Sequence, residues 1–474
     1  MKNLLLLVFV LMFVKNHAQN DQTVYSIINT NARKLAQKSG AYSVSIGIVK
    51  NGKVYTRHFG EIDKGNGNKA DDHTYFEIAS VTKLLTGQLL AQAVLEGKVN
   101  LDDDIRKYLK GSYPNLEYKG VPVKVKNMIS FRTALPRNLP NDDALRKNMT
   151  DETPFLYNKL NENYTKEDFK RDLATVKLDT LPGIKYRYSN LSLELAGMML
   201  ENIYGKSYET LLKENIFSKA GMNHTKLQLD KNEVQASGYH SNYRLMPVSK
   251  SELWGAGGAK TKSTMEDMVK LLQEELDSKN KIVQESQRNI DNSKKGWNGY
   301  FWDQYYISDK GKTAYKHGGS YGTQTWFTIY PELNIGICLI VNISGPQTFD
   351  VLYNTASDLV DDLISVPEEK QVYGYSVKGN KVIFSYIHPK NLNADLINTI
   401  AVAGDFNNWN PEDKEYQMIK KGNDHFELEI PVSRFEKGKT YPFKFVFNKD
   451  GWTRAPKTAT NTDGTDHNNL TIAL

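Results

Sequence analysis

One cysteine, Cys338, stands in a chain of 474 residues. A single thiol permits no internal disulfide. Its place inside the apolar run NIGICLIVN marks a small hydrophobe in a buried strand rather than a reactive thiol. Basic residues are not gathered in blocks: the net charge is +6, and no run of five or more Lys/Arg occurs. Nucleic-acid binding calls for a clustered basic face, so that partner class is set aside. Long apolar runs are also missing. The stretch from Leu4 to Val14 falls short of the ~20 residues that cross a bilayer, so no membrane span is expected. With Lys2 ahead of it and a polar stretch with Ala18 behind, residues 1–18 read as a secretory signal peptide cleaved after Ala18. No Cys follows the run, which argues against a lipid anchor. Export without disulfides is compatible with a periplasmic or secreted protein. Internal repeats and low-complexity segments are absent. The nine histidines show no ligand-like spacing, and no metal and no cofactor is implied.

What is present is a globular composition, 39% hydrophobic and 24% charged, long enough for two or three domains. Residues 42–59, YSVSIGIVKNGKVYTRHF, are two β-rich runs around Asn51-Gly52, a strong hairpin signal. From Val81 to Leu95 the apolar positions 81, 84, 85, 89, 90, 94 and 95 describe a mostly buried helix, stopped by Gly97. Residues from about 120 to 290 are mainly helical in pattern. Strands return between Gly299 and Ser344, and a last helix runs from about Gln347 to Ile364. Strands at both ends of a helical middle make one α+β domain, residues 22–365, whose sheet joins N- and C-terminal segments. A polar linker, 366–380, leads to short alternating strands from Lys381 to Leu474, a small immunoglobulin-like β-sandwich.

Two serines compete for the role of nucleophile. Gly318-Gly319-Ser320-Tyr321-Gly322 fits G-x-S-x-G, but a nucleophile elbow needs a helix after the serine. The residues after Gly322, TQTWFTIYPELNIGICLIV, have a β-hairpin pattern instead. Ser80-Val81-Thr82-Lys83 has the better context. S-x-x-K at a helix start puts Ser and Lys about one turn apart on one face. A lysine desolvated against a buried helix can lose its charge and take the serine's proton. A second match at Ser278 to Lys281 lies in a charged stretch and reads as a solvated turn. A third element is Tyr188-Ser189-Asn190, just before an apolar helix. Tyr188 can relay protons near Lys83, and Asn190 can hold both the lysine and a substrate carbonyl. Alternatively, Asn190 is a helix N-cap and Tyr188 a core aromatic.

These elements, in this order, resemble the penicillin-recognising serine hydrolases, in particular the class C β-lactamase-like branch with its esterases and D-amino-acid-specific peptidases. The resemblance runs from about Tyr42 to Ile364, through FEIASVTKLLTGQLLAQAVLEGKVNLDD, YRYSNLSLELAGMMLE, WGAGGAKTKSTMEDMVKLLQ and YKHGGSYGTQTWFTIYPELNIGICLIVN. It implies an antiparallel sheet flanked by helices plus a helical subdomain. It makes Ser80 the nucleophile, Lys83 its base, Tyr188 a second acid/base and Asn190 a ligand of lysine and substrate. It sets His317-Gly318-Gly319 on the strand lining the cleft, with the amides of Ser80 and Ser320 as oxyanion hole. Two departures stand out. His317 takes the place of the lysine usual in class C β-lactamases, which removes a fixed positive charge and favours neutral esters, amides or D-peptides over penicillins. And Phe131-Arg132-Thr133-Ala134-Leu135-Pro136 stands where relatives read H-T-S-G-L-P.

The C-terminal segment resembles family 48 carbohydrate-binding modules, through IAVAGDFNNWNPEDKEYQMIKKGNDHFELEIP and KTYPFKFVFNKDGWTRAPKTATNTDGTDHNNLTI. That resemblance implies an α-glucan or other glycan as partner, held by Trp409, Lys444, Trp452, Asn468 and Asn469: indoles stack on sugar faces while Lys and Asn hydrogen-bond hydroxyls. The alternative is that both indoles pack internally. The resulting expectation is an exported serine hydrolase acting through an acyl-enzyme on a small-molecule or peptide substrate. Its rivals are a true β-lactamase or D,D-carboxypeptidase, and a catalytically silent glycan-binding protein.

Overall fold

The hairpin signal at Asn51-Gly52 becomes the edge of a sheet, β1 (Ser43–Lys50) pairing antiparallel with β2 (Lys53–Gly60). In this computed structural model the described residues are 2–294, 296–365, 372–387, 397–422, 425–456 and 459–474, with side chains from Asp21 onward. The leader expected over residues 1–18 therefore falls outside the described side chains. Among the described residues no helix is long and apolar enough to cross a membrane.

β3 (Gln304–Ser308), β4 (Gly311–Gly319), β5 (Gln324–Tyr330) and β6 (Ile335–Val341) complete the sheet, in the order β2-β1-β6-β5-β4-β3. Every neighbouring pair is antiparallel. β1 and β6, far apart in sequence, lie side by side in it, as expected from strands at both ends of a helical middle. The helices that matter below are α1 (Lys2–Ser39), α2 (Thr82–Leu95), α3 (Asn190–Tyr204), α4 (Met265–Glu275) and α5 (Thr348–Ile364).

Period-two alternation sorts the strand side chains between two layers. Val44, Ile46, Ile48, Ile337 and Leu339 share one core with Ile28 and Leu35 of α1 and with Leu352 and Leu359 of α5. Phe327, Ile329, Cys338 and Ile340 face the other way, into a larger core with α2, α3 and α4. Cys338 is fully buried, and desolvation pushes its thiol pKa up, as suits an inert hydrophobe. α2 is buried almost all round, which is why its hydrophobic pattern lacks a clean polar face. The sequence pattern starts this helix at Val81. The structure instead has a 3₁₀ turn, Ala79–Val81, feeding an α-helix that begins at Thr82.

The C-terminal strands are β7 (Tyr375–Lys378), β8 (Lys381–Ile387), β9 (Ile400–Gly404), β10 (Ile419–Lys420), β11 (His425–Pro431), β12 (Thr440–Phe447), β13 (Gly451–Trp452) and β14 (Leu470–Ala473). One sheet runs β7-β8-β11-β10; the other runs β9-β12-β13, with β14 also on β12. Phe384, Val402, Phe443, Phe445 and Ile472 fill the space between them. β7 corrects the boundary read from composition: Tyr375–Lys378 pairs with β8 and is sheet, not linker. Residues 366–371 of that linker lie outside the described ones. The sandwich meets α5 through Arg454, whose Nη1 is 3.2 Å from Asp358 Oδ1.

Candidate active site

Ser80 occupies the 3₁₀ turn at the mouth of α2, and two close approaches fix that turn. A Cβ on Gly318 of β4 would stand 2.3 Å from the Ile78 carbonyl. A Cβ on Gly258 would stand 2.2 Å from the Ala79 carbonyl, and Gly258 has φ +105°. Only glycine lets strand and loop close on the turn from both sides. Ala79 itself takes φ 44°, a strained value for a residue with a side chain, immediately before Ser80.

One turn on, Lys83 is fully buried, with its Nζ 2.9 Å from Ser80 Oγ. The Gly257 carbonyl accepts a second hydrogen bond from the same nitrogen. Tyr188 Oη lies 2.7 Å from Ser80 Oγ on the other side. Ser80, Lys83 and Tyr188 thus meet at one oxygen, as the motifs predict. Burial first, then the positive charges of Lys316 and Arg137, pulls the Lys83 pKa well below its ordinary value. Burial first, then Asp303, pushes that of Tyr188 up. Both shifts favour the uncharged forms, an amine and a phenol. The amine can accept the Ser80 proton while donating to Gly257, and the phenol can donate to Ser80 Oγ.

The departure at Phe131–Pro136 has a structural answer. Phe131 stacks on the Tyr188 ring at 5.0 Å and 22°. The Phe131 carbonyl accepts from the Arg187 amide, and the Pro136 carbonyl accepts from Ser189 Oγ at 2.6 Å. The altered loop still holds the Tyr188 segment. Ala134, where relatives have Gly, takes φ 63°.

Asn190 is neither the N-cap nor a partner of Lys83. The cap is Ser189, whose side chain accepts from the Ser192 amide. Asn190 lines the cleft and donates through Nδ2 to Asn138 Oδ1 at 2.8 Å. The lysine-ligand role expected of it falls to the Gly257 carbonyl. Behind that carbonyl stands Glu194, buried on α3, which accepts from the amides of Gly255 at 3.0 Å and Gly257 at 2.9 Å. Sequence reasoning missed Glu194. An acid at an apolar position of YSNLSLELAG was the available signal.

His317 also differs from expectation. The sheet's alternation turns its ring away from Ser80, onto Phe349 of α5 at 5.0 Å and toward Gln324, whose Oε1 is 2.5 Å from Nε2. The residue that faces Tyr188 is Lys316. It is fully buried, 5.3 Å from the Tyr188 ring centroid and 2.6 Å from Asp303 Oδ1. The positive charge read as lost with His317 is present one residue earlier. It was missed because the motif alignment fixed attention on the residue before Gly-Gly.

The Ser320 amide is likewise taken: it donates to the Thr323 carbonyl at 2.9 Å. Amides alternate sides along an antiparallel ladder. That of Gly319 points away from β5, as does that of His317, which donates to Asp303 Oδ2 at 2.7 Å. Gly319 also lines the cleft with Ser80. It replaces Ser320 as the candidate oxyanion donor. Ser320 sits in a β-hairpin with no helix after it, so the elbow reading is excluded. The cleft, about 290 Å³, is lined by Ser80, Arg137, Asn190, Gly319, Ser320 and Tyr321 among others.

In the sandwich, Trp409, Lys444, Trp452 and Asn469 line a second cavity with Tyr353 of α5. The two indoles are 6.2 Å apart, with Trp409 half-buried and Trp452 41% exposed, so neither is packed in the sandwich core. Asn468 does not join them: it lines a neighbouring hollow and donates to the Ala455 carbonyl at 2.9 Å.

Comparison with known proteins agrees with this geometry. A family model described as Beta-lactamase matches residues 28–361. The chain is 26% identical over 318 residues to Protein flp of Staphylococcus aureus strain N315, an alignment covering 65% of this chain and 61% of that protein. It is 26% identical over 367 residues to the D-alanyl-D-alanine-carboxypeptidase/endopeptidase AmpH of Escherichia coli K12, covering 71% of this chain and 89% of AmpH. The crystal structure of a beta-lactamase/D-alanine carboxypeptidase from Yersinia pestis, complexed with citrate, superposes with a TM-score of 0.59 at 25% identity, covering 73% of this chain and 100% of that one. The matched region contains the whole Ser80–Lys83–Tyr188 constellation, and the protein belongs to the Beta-lactamase family of serine hydrolases.

Proposed function

We propose that this chain is an exported hydrolase that forms an acyl-enzyme on Ser80. The observation that carries the reading is the 2.9 Å approach of buried Lys83 Nζ to Ser80 Oγ. Neutral Lys83 takes the serine proton as Oγ attacks a carbonyl carbon. The amides of Ser80 and Gly319 receive the oxyanion. Tyr188 passes a proton to the leaving group as its bond to carbon breaks, and is reprotonated from Lys83. Water then attacks the ester, and the same groups return the proton to Ser80 Oγ.

The substrate class is a carbonyl compound: an ester, an amide or a D-amino-acid peptide. Charge in the cleft favours a substrate bearing a carboxylate. Lys316 supplies one cation behind Tyr188, fully buried and paired with Asp303 at 2.6 Å rather than lining the cleft. Arg137 supplies another, with its guanidinium 4.8 Å from the Tyr188 ring centroid. Arg137 lines the cleft, and among the described residues its buried Nε has no hydrogen-bond partner. Peptides ending in a free D-amino acid therefore rank above neutral esters, in keeping with the names of the Escherichia and Yersinia relatives. Turnover of a β-lactam is the second reading, favoured by the same two cations. The cavity between Trp409, Trp452 and Tyr353 supports a glycan, such as an α-glucan, as partner of the sandwich.

A panel comprising a D-Ala-D-Ala peptide, a chromogenic cephalosporin and a neutral aryl ester tests the reading. The expected order of kcat/KM puts the peptide first. Arg137→Ala is expected to cost the peptide about tenfold, and the ester far less. No turnover of any of the three by the wild type would return the chain to the silent glycan-binding reading.

A further inference from the structure

We propose that His73, His224 and Glu266 form a divalent transition-metal site of the zinc type. The sequence gives no hint of it, because the ligands come from three separate segments: the loop ahead of strand Phe76–Glu77, the turn after Gly221, and the first turn of α4. In the structure their ligand atoms all lie within 4.8 Å of one another. His73 Nδ1 is 3.2 Å from Glu266 Oε2, and His224 Nδ1 is 3.4 Å from the same oxygen.

These separations suit a shared centre. Nitrogen and oxygen ligands at ~2.0–2.1 Å from a tetrahedral zinc stand about 3.4 Å apart. As hydrogen bonds the same contacts fail. Among the described residues, His224 Nδ1 and Glu266 Oε2 are both buried with no hydrogen-bond partner. An imidazole nitrogen and a carboxylate oxygen left facing each other out of water with no hydrogen bond are costly, and a cation between them would satisfy both. Imidazole with carboxylate is a donor set of zinc enzymes and suits other borderline cations less selectively.

The surroundings hold the ligands in place. The His224 amide donates to Asp267 Oδ2 at 2.7 Å, and the Glu266 amide donates to the Asp72 carbonyl at 3.2 Å. Lys270 Nζ bonds the other oxygen of Glu266 at 2.9 Å and Asp267 Oδ1 at 3.1 Å, leaving Oε2 to the histidines. Glu266 and Asp267 together outweigh the one lysine charge. The metal ties α4 to the loop that enters strand Phe76–Glu77, the segment that carries Ser80. Its role is a structural clamp behind the nucleophile turn, and it does not depend on the proposed reaction.

The test uses tag-free, full-length protein stripped with EDTA and titrated with zinc sulfate by calorimetry, with cobalt absorption as the readout of ligand type. One equivalent is expected, with a rise in melting midpoint. His224→Ala and His73→Gln should each weaken binding at least ~10-fold and abolish the midpoint rise. His73 is a largely exposed side chain, so its variant folds even where loss of His224 disturbs packing. Absence of saturable zinc binding, or one equivalent bound with unchanged affinity by folded His73→Gln, overturns the site.

Discussion

Glu194 and Lys83 grip opposite ends of one residue. The Glu194 carboxylate accepts the Gly257 amide at 2.9 Å, while the Gly257 carbonyl accepts from Lys83 Nζ. Under the proposed mechanism this buried acid orients Lys83 through Gly257, which makes Glu194 a candidate positioning residue.

Replacing Glu194 by Gln leaves one acceptor for two amides. The expected result is a fall in kcat of about tenfold with KM little changed. The negative charge of Glu194 favours protonated Lys83. Its loss lowers the Lys83 pKa further, so the acid limb of the rate profile moves to lower pH. A purely structural residue would leave that limb in place.

Under the proposed mechanism, Lys83 is expected to set the pH dependence of both activity and stability. Activity is expected to rise as pH climbs through its depressed pKa, because only the neutral amine accepts the serine proton. Stability rises too. Between the depressed folded pKa and the ordinary 10.5, the unfolded lysine holds a proton that the folded one has released, so the unfolded state binds more protons across that window. Lys83→Met should abolish acylation and raise the melting midpoint at pH 7. That gain should shrink as pH approaches 10. A gain independent of pH would refute a neutral Lys83.

Ala134 holds φ 63° with a Cβ. Ala134→Gly relieves that conformation and is expected to stabilise the chain by about 0.5–1 kcal/mol in chemical denaturation, with activity kept. Destabilisation would mean that the Ala134 methyl group does more by packing than its backbone costs.

The proposed glycan reading rests on Trp452 and Trp409, which line one cavity. Trp452→Ala should weaken retention on immobilised α-glucan at least tenfold while leaving hydrolase turnover unchanged. Equal retention of wild type and variant would remove the glycan reading from this cavity.

Much of the site is legible in the sequence because its parts are local. Ser80 and Lys83 sit three residues apart, and Tyr188 opens a helix of its own. The β-hairpin after Ser320 is visible in β-branched and aromatic residues, which was enough to reject the elbow. What stays hidden depends on the third dimension. Strand phase decides whether Lys316 or His317 faces Tyr188, and no motif states it. The ladder decides that the Ser320 amide is spent on Thr323 while that of Gly319 is turned outward. Asn190 gives way to the Gly257 carbonyl because backbone atoms leave no mark in a motif. His73 and His224 meet only after the chain between them has folded.

The most direct test of Ser80 as nucleophile is the mass of the intact protein after exposure to a serine-directed phosphonate, with peptide mapping of any adduct. The predicted result is one adduct, on Ser80, absent in Ser80→Ala and strongly slowed in Lys83→Met. An adduct on Ser320, or labelling that survives Ser80→Ala, would contradict it.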